Sequence, residues 1–389
     1  MERKVKLGIV GVGNMGTSHI KNIMAGKCPE IELTAVADIL PERLEWAKSV
    51  CPTVNCYASA EELFDSGKVE AVLIAVPHYY HPPYAIECMK RGLHVITEKP
   101  AGVYGLQVLE MMKVADEHPE LVFGIMMNQR TNCVYRKMRE IVKSGEMGEI
   151  RRTNWIITDW YRPQAYYNSS EWRATWAGEG GGVLLNQCPH NLDLWQWICG
   201  MPKKLTAKMY FGKWHDIEVE DDVTAFVEYE NGATGVFVAT TGDIPGTNRF
   251  EISLDRGKLL VENKKLYMWK ASMSEQEWSA TNTEKIYGKP PIEYTEVETD
   301  GKNPQHPGVL NAFAGAILRG EPLVADGREG INGLTISNAL HLSAWLGKEI
   351  TLPLDHELFY SELQKRVATS RHKAPVAHVV ANTEGTYSS

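Results

Sequence analysis

Residues 4–10 (KVKLGIV) form a short apolar run that leads directly into Gly11-Val12-Gly13-Asn14-Met15-Gly16. A stretch with helical spacing through Ile20 and Ile23 follows. Strand, GxGxxG turn and helix, in that order, restrict the fold more than any other feature of the chain. The first glycine permits a tight turn, the second lets backbone approach a pyrophosphate, and the third lets helix and strand pack closely. The helix N-terminus adds amide donors and a partial positive charge. Taken alone, the same six residues also suit an ordinary βα turn.

The context favours the nucleotide reading. A second apolar run, 31–37, ends in Asp38, about 20 residues on, where an acid takes ribose hydroxyls. A carboxylate there repels a 2′-phosphate, which favours NAD and makes NADP the weaker choice, although Arg43 softens the preference. Asp38 equally suits a helix cap before Pro41. Residues 70–76 (EAVLIAV) are almost continuously apolar, as buried parallel strands are. Helical stretches at 82–91 and 104–118 and strands at 93–97 and 121–126 continue the alternation. This spells a doubly wound parallel sheet, with ligands beyond the carboxyl ends of its strands. Val76, Pro77, His78, His81, Glu98, Lys99 and Asn128 fall at such ends, and Asn14 and Met15 lie within the glycine turn. All are expected at the cofactor.

The pattern changes near residue 150. Apolar–polar alternation runs through 151–158, 204–211, 222–230, 233–241, 248–254 and 257–262, with hairpin signals at Asn231-Gly232 and Asp255-Arg256-Gly257. The expected class is α/β. A Rossmann domain over 1–127 precedes an α+β domain over 128–389, which carries a large, open, mostly antiparallel sheet for substrate binding and oligomerisation. Residues 271–305 read as a long loop, 308–318 and 328–346 as helices, and the polar tail after 368 as mobile or crossing to a neighbouring subunit.

The stretch Gly180-Gly181-Gly182 to Asn186-Gln187-Cys188-Pro189-His190-Asn191-Leu192-Asp193 carries the clearest chemistry. On one helix Asn186, His190 and Asp193 share a face. A histidine flanked by groups that fix its tautomer suits a general base, and the glycines suit close approach of a ligand. A core histidine satisfied by a carbonyl is the plainer alternative. Residues 159–167, then Trp172, Arg173 and Trp176, are rich in aromatics and arginine. They fit a sugar-stacking surface and a structural aromatic cluster about equally, with Tyr161, Arg162 and Trp172 leaning toward sugar.

Composition narrows the classes. A net charge of −8 without basic blocks argues against nucleic acid. No segment approaches the roughly 20 apolar residues of a membrane span. Seven scattered cysteines without a CxxC pair suggest free thiols in a reducing cytoplasm and no metal site.

With GVGNMG, AVPHYYH, Glu98-Lys99-Pro100, GEMGEI and GGGVLLNQCPHNLD in place, the chain resembles the Gfo/Idh/MocA family over most of its length. The resemblance implies a Rossmann domain, an open-sheet domain and dimers or tetramers. It further implies that Lys99 positions the reacting hydroxyl, that His190 takes its proton, and that Glu98 and Pro100 shape the cofactor loop. Asn186 stands where many members carry Asp, and His78 where Asn is common. The expected activity is NAD-dependent hydride transfer from a secondary alcohol of a sugar, of a glycoside (C3 of a glucosyl group) or of a cyclitol. Lys99, Tyr161, Arg162, Trp172, Arg173, Asn186 and His190 are the expected substrate contacts. Inositol dehydrogenation, a redox-neutral glycoside-processing enzyme that retains NAD, and a non-catalytic NAD-binding regulator are the alternatives.

Overall fold

A computed structural model describes residues 3–283, 285–371 and 373. Among them the first sheet contains β1 (Val5–Val10), β2 (Ile31–Ala37), β3 (Asn55–Tyr57), β4 (Ala71–Ile74), β5 (His94–Thr97) and β6 (Phe123–Ile125). All pair in parallel in the order β3-β2-β1-β4-β5-β6. The order reverses between β1 and β4, which opens a crevice beyond their carboxyl ends. The strands are apolar on both sides because helices cover both faces; Leu7, Ile9, Leu73 and Ile74 are fully buried.

The second sheet contains β7 (Ile150–Ile157), β8 (Lys204–Phe211), β9 (Glu220–Glu228), β10 (Thr234–Thr240), β11 (Asn248–Leu254), β12 (Gly257–Glu262), β13 (Lys265–Ala271), β14 (Ile292–Val297) and β15 (Ile350–Thr351). Their order is β14-β13-β12-β11-β7-β10-β9-β8-β15. Only β7 and β10 pair in parallel; the other pairings are antiparallel. The Asn231-Gly232 and Asp255–Gly257 turns join β9 to β10 and β11 to β12, with Gly232 at φ +81°. Alternate residues Trp155, Ala225, Phe237 and Phe250 form one buried face, where Trp155 and Phe250 stack 4.1 Å apart. Their neighbours Ile156, Phe226 and Val238 lie on the opposite, open face.

Residues 271–305 are more ordered than their composition suggests. They hold the helix Glu275–Thr281, closed by a Ser274–Glu277 capping box, and the edge strand β14. Strand β14 is largely exposed, so it shows no apolar alternation to betray it. The helix Gln305–Arg319 then returns to the first sheet and buries Val309, Leu310 and Phe313 against the core of Leu7, Ile9 and Met126. The helix His356–Val367 is the last helix among the described residues, and Ser370 follows it to meet Glu218. The tail expected to be mobile or shared lies largely in 374–389, outside the described residues. All seven cysteines are free, and no helix among the described residues is long and apolar enough to cross a membrane.

Candidate functional site

The crevice begins at the glycine turn. Gly11 sits at φ +91°, a backbone region that favours glycine. A methyl group on Gly16 would meet the Gly11 carbonyl at 1.9 Å, so this glycine is needed for helix-on-turn contact. A methyl on Gly13 meets nothing within 4 Å, so this position faces open space. Asn14 and Met15 open the helix Asn14–Met24 immediately beyond. Asp38 braces the turn: one oxygen accepts the Val12 amide at 2.7 Å and the other the Leu40 amide at 2.9 Å. Asp38 does not cap the following helix, whose N-cap residue is Leu40 without a side-chain capping bond; its oxygens hold two loop amides at the end of β2 instead. Arg43 lies in the next helix, Pro41–Val50. The open cradle at Gly13 and the acidic end of β2 fit a dinucleotide.

Val76 and Pro77 follow β4. His78 is buried, with Nδ1 3.3 Å from the Glu179 carbonyl and its ring edge-on to Trp172 at 5.7 Å. Burial, then the charges of His81, Lys99 and Arg173, push its pKa well down, so it is a neutral imidazole. His81 departs from expectation. Its two ring nitrogens meet the carbonyl oxygens of Pro100 at 2.7 Å and Val76 at 2.8 Å, so it clamps two strand ends together instead of offering a nitrogen to the cofactor. Asn128 begins a short 3-10 turn after β6. Its Nδ2 donates to Gln305, while its buried Oδ1 has no partner within the protein. Such an orphaned acceptor suits a ligand in the crevice.

Glu98 and Lys99 leave β5. Glu98 is buried and receives His19 Nε2 at 2.7 Å and the Lys99 amide at 3.2 Å. Burial alone would raise its pKa, but the His19 hydrogen bond and the charges of His19, His306 and Lys99 hold it at about 2. Lys99 reaches across to the second unit, where its ammonium donates to the Asn186 carbonyl at 3.0 Å. Burial lowers its pKa against the pull of Glu98 and Glu179.

The motif that supplies Asn186 and His190 is not one helix. A short turn, Val183–Asn186, stops, and a new helix, Pro189–Cys199, begins at the proline. Pro189 lacks the amide that a continuous helix needs there but suits a first helical position. The shared-face argument for Asn186 and His190 therefore fails, although both still reach Lys99: Asn186 by its carbonyl, and His190 closely enough to feel the lysine charge. Asp193 is not a partner of His190. It forms a buried two-pronged pair with Arg130 (2.8 and 2.7 Å), which also binds Glu329 at 2.7 Å. His190 is buried with no partner at either ring nitrogen, and burial, followed by the Lys99 charge, keeps it neutral. The glycines serve packing more than ligand access. A methyl on Gly180 would strike Val103 at 2.2 Å, and one on Gly182 the Glu220 carbonyl at 2.0 Å.

The aromatic stretch divides. Trp176 packs into a core cluster with Phe211, His341 and Trp345, so it is structural. Arg173 lies over Tyr166 at 4.3 Å and Trp172 at 4.6 Å and donates to the Tyr166 hydroxyl at 2.6 Å. Arg162 spans the Trp160 and Tyr166 rings, and its charge, like that of Arg173, acts on Lys99. Tyr161 stands exposed beside them. Sequence reasoning missed Glu179, His19, His306 and Arg130, and it placed Tyr166 in the aromatic stretch without singling it out. Only Glu179 carried a local signal, as a lone acid before three glycines.

The model of an oxidoreductase family with an NAD-binding Rossmann fold matches residues 5–124, and the model of the GFO/IDH/MocA C-terminal domain matches residues 135–260. Inositol 2-dehydrogenase of Corynebacterium glutamicum is 24% identical over 60% of this chain and 66% of its own length. Myo-inositol 2-dehydrogenase of Thermotoga maritima is 23% identical over 67% of this chain and 75% of its own. Among solved structures, the WlbA dehydrogenase from Chromobacterium violaceum, in complex with NADH and UDP-GlcNAcA, is 27% identical. It superposes with a TM-score of 0.78, covering 91% of this chain and 98% of that one.

Proposed function

The chain belongs to the Gfo/Idh/MocA oxidoreductase family, and from that premise we propose that it is an NAD-dependent dehydrogenase of a secondary alcohol in a pyranose or glycoside. One observation carries this reading. Half-buried Lys99, at the carboxyl end of a strand of the first sheet, meets Asn186 and lies close to an unpartnered, neutral His190. These groups come from two parts of the chain far apart in sequence, and the fold leaves both ring nitrogens of His190 without a protein partner.

NAD, when bound, supplies the hydride acceptor. The chain's own residues then have two tasks. Lys99 donates a hydrogen bond to the alcohol oxygen and stabilises negative charge as it develops. His190, neutral because of burial, accepts the hydroxyl proton. The Arg173, Trp172 and His78 wall excludes water and offers ring faces and donors to a sugar.

The substrate class rests on two supports. The Trp172–Arg173–Tyr166 wall favours a pyranose, and a relative solved with a sugar nucleotide, 27% identical, agrees with it. The cyclitol reading is favoured by relatives called inositol 2-dehydrogenases. A panel of hexoses, glycosides and cyclitols with NAD, read by NADH absorbance, decides between them. A glycoside or pyranose is expected to react fastest, and turnover of inositols alone would overturn the pyranose assignment. Lys99→Ala is expected to lose about 10²–10⁴-fold in kcat while still binding NAD. If no polyol yields NADH and the variant behaves like the wild type, the chain is a nucleotide-binding regulator. Tightly held NAD without net NADH release assigns redox-neutral glycoside processing instead.

A further inference from the structure

Glu179 is a carboxylate with 1% exposure at the centre of the site, and no role described so far uses it. Its Oε1 accepts from Asn186 Nδ2 and, at 3.4 Å, from Arg173; its Oε2 accepts the Ala174 amide at 2.5 Å. Its own carbonyl meets His78 Nδ1 at 3.3 Å. Tight packing of the glycines behind it against Val103 and Glu220 fixes the segment that carries it.

An asparagine side chain has a donor end and an acceptor end, and only a partner decides which faces outward. We propose that Glu179 is a positioning residue for the reaction: it holds the Asn186 NH₂ and so turns the amide oxygen, an acceptor, toward the hydroxyl that Lys99 binds. The inference rests on the dehydrogenase reading given above. It divides the work of the site between two groups. The carboxyl group that faces Lys99 and Arg173 sits at 179, one hydrogen bond behind the surface that meets the substrate, where burial raises its pKa against the pull of Arg173. Residue 186 offers a neutral acceptor that never competes with the substrate for a proton. The groups that face Glu179 are Arg173, Asn186, Lys99, Glu220, Tyr167 and Lys373, with His78 on its carbonyl.

The arrangement makes a reciprocal test possible. Asn186→Asp sets two carboxylates within hydrogen-bonding distance, and both cannot ionise there. Glu179→Gln/Asn186→Asp exchanges amide and acid while keeping one charge and one hydrogen bond. Thermal unfolding from pH 5 to 9 without substrate, and kcat and KM on the best polyol, are measured for the wild type, both single variants and the double variant.

Glu179→Gln is expected to bind NAD normally but lose tenfold or more in kcat/KM. Asn186→Asp is expected to lose stability as pH rises, because a carboxylate whose pKa is raised in the folded state stabilises only while protonated. Its kcat/KM profile is expected to acquire a new ionisation. The double variant is expected to recover most of that stability and at least tenfold in kcat/KM over Asn186→Asp. Asn186→Asp with wild-type activity and pH profile, or a double variant no better than Asn186→Asp, overturns the proposal. If the wild type oxidises no sugar or cyclitol, the dehydrogenase reading fails by itself. The stability cycle then still decides the pair: non-additive effects support it and additive effects overturn it.

Discussion

Three imidazoles near the site, His78, His190 and His306, are buried where a positive charge is poorly solvated. For each, burial is the largest influence and lowers the pKa, to about 4 for His306. In the unfolded chain each takes a proton near pH 6.5. The unfolded state therefore binds more protons in this window, and stability is complete above pH 6.5 and declines as pH falls toward 4. For His306 alone the decline is on the order of 3 kcal/mol. Glu98, held at about 2, works in a lower window: its contribution is present above pH 4.5 and is lost as pH falls toward 2. Acid unfolding is thus expected to proceed over two windows. Melting temperature against pH checks this, and His306→Gln is expected to flatten the slope between pH 6.5 and 4 and, by removing one of the charges that hold Glu98 down, to move the lower window slightly upward. An unchanged upper slope would show that His306 is already protonated in the folded protein.

At the scale of the element, the glycine turn separates cofactor binding from folding. Gly13 has φ −75°, which any residue accepts, and open space where a side chain would point. Gly13→Val is expected to fold with a melting temperature within a few degrees of wild type, yet to weaken NAD binding by tenfold or more by calorimetry. Gly16→Ala, driven into the Gly11 carbonyl, is expected to destabilise by about 2 kcal/mol or more. Equal losses of binding in two stably folded variants would contradict this division. The same turn was legible in the sequence because its function is local: six residues, one strand and one helix define it. The long strands of the second sheet were legible because one buried face forces alternation. Strand β3 is too short to alternate and β14 too exposed, so neither left a pattern. The break between Asn186 and His190 was signalled by Pro189, but a continuous helix also tolerates a proline in its first turn. Glu179 and Arg130 acquire meaning only from partners brought near by the fold, as Arg130 does from Asp193, 63 positions away. No reading of neighbours in sequence finds such a pair.

The whole molecule places its chemistry where the two sheets meet, and the chain crosses that boundary more than once. Lys99 reaches Asn186, Arg130 ties the Asn128–Thr131 turn to Asp193 and Glu329, and the helix Gln305–Arg319 returns to the first sheet. The core face of the second sheet is therefore fully used, whereas its other face remains open. On that face Phe226, Val236 and Asn154 align in one cross-strand row, and Val238 and Ile156 in the next. Phe226 is 43% exposed and Ile156 38%. Beside them Arg249, Glu251, Glu262 and Lys258 form mixed-sign ion pairs. A patch with an apolar centre and both charges at its edge is complementary to itself under a two-fold rotation. We propose that two copies associate through this face, as the family resemblance implies. Phe226→Glu combined with Ile156→Lys leaves the buried face untouched, because side chains alternate strictly across a strand. In light scattering the wild type is expected to have at least twice the chain mass and the double variant one chain mass, with NAD binding retained. A wild type that stays monomeric at micromolar concentration would show that the open face serves another purpose.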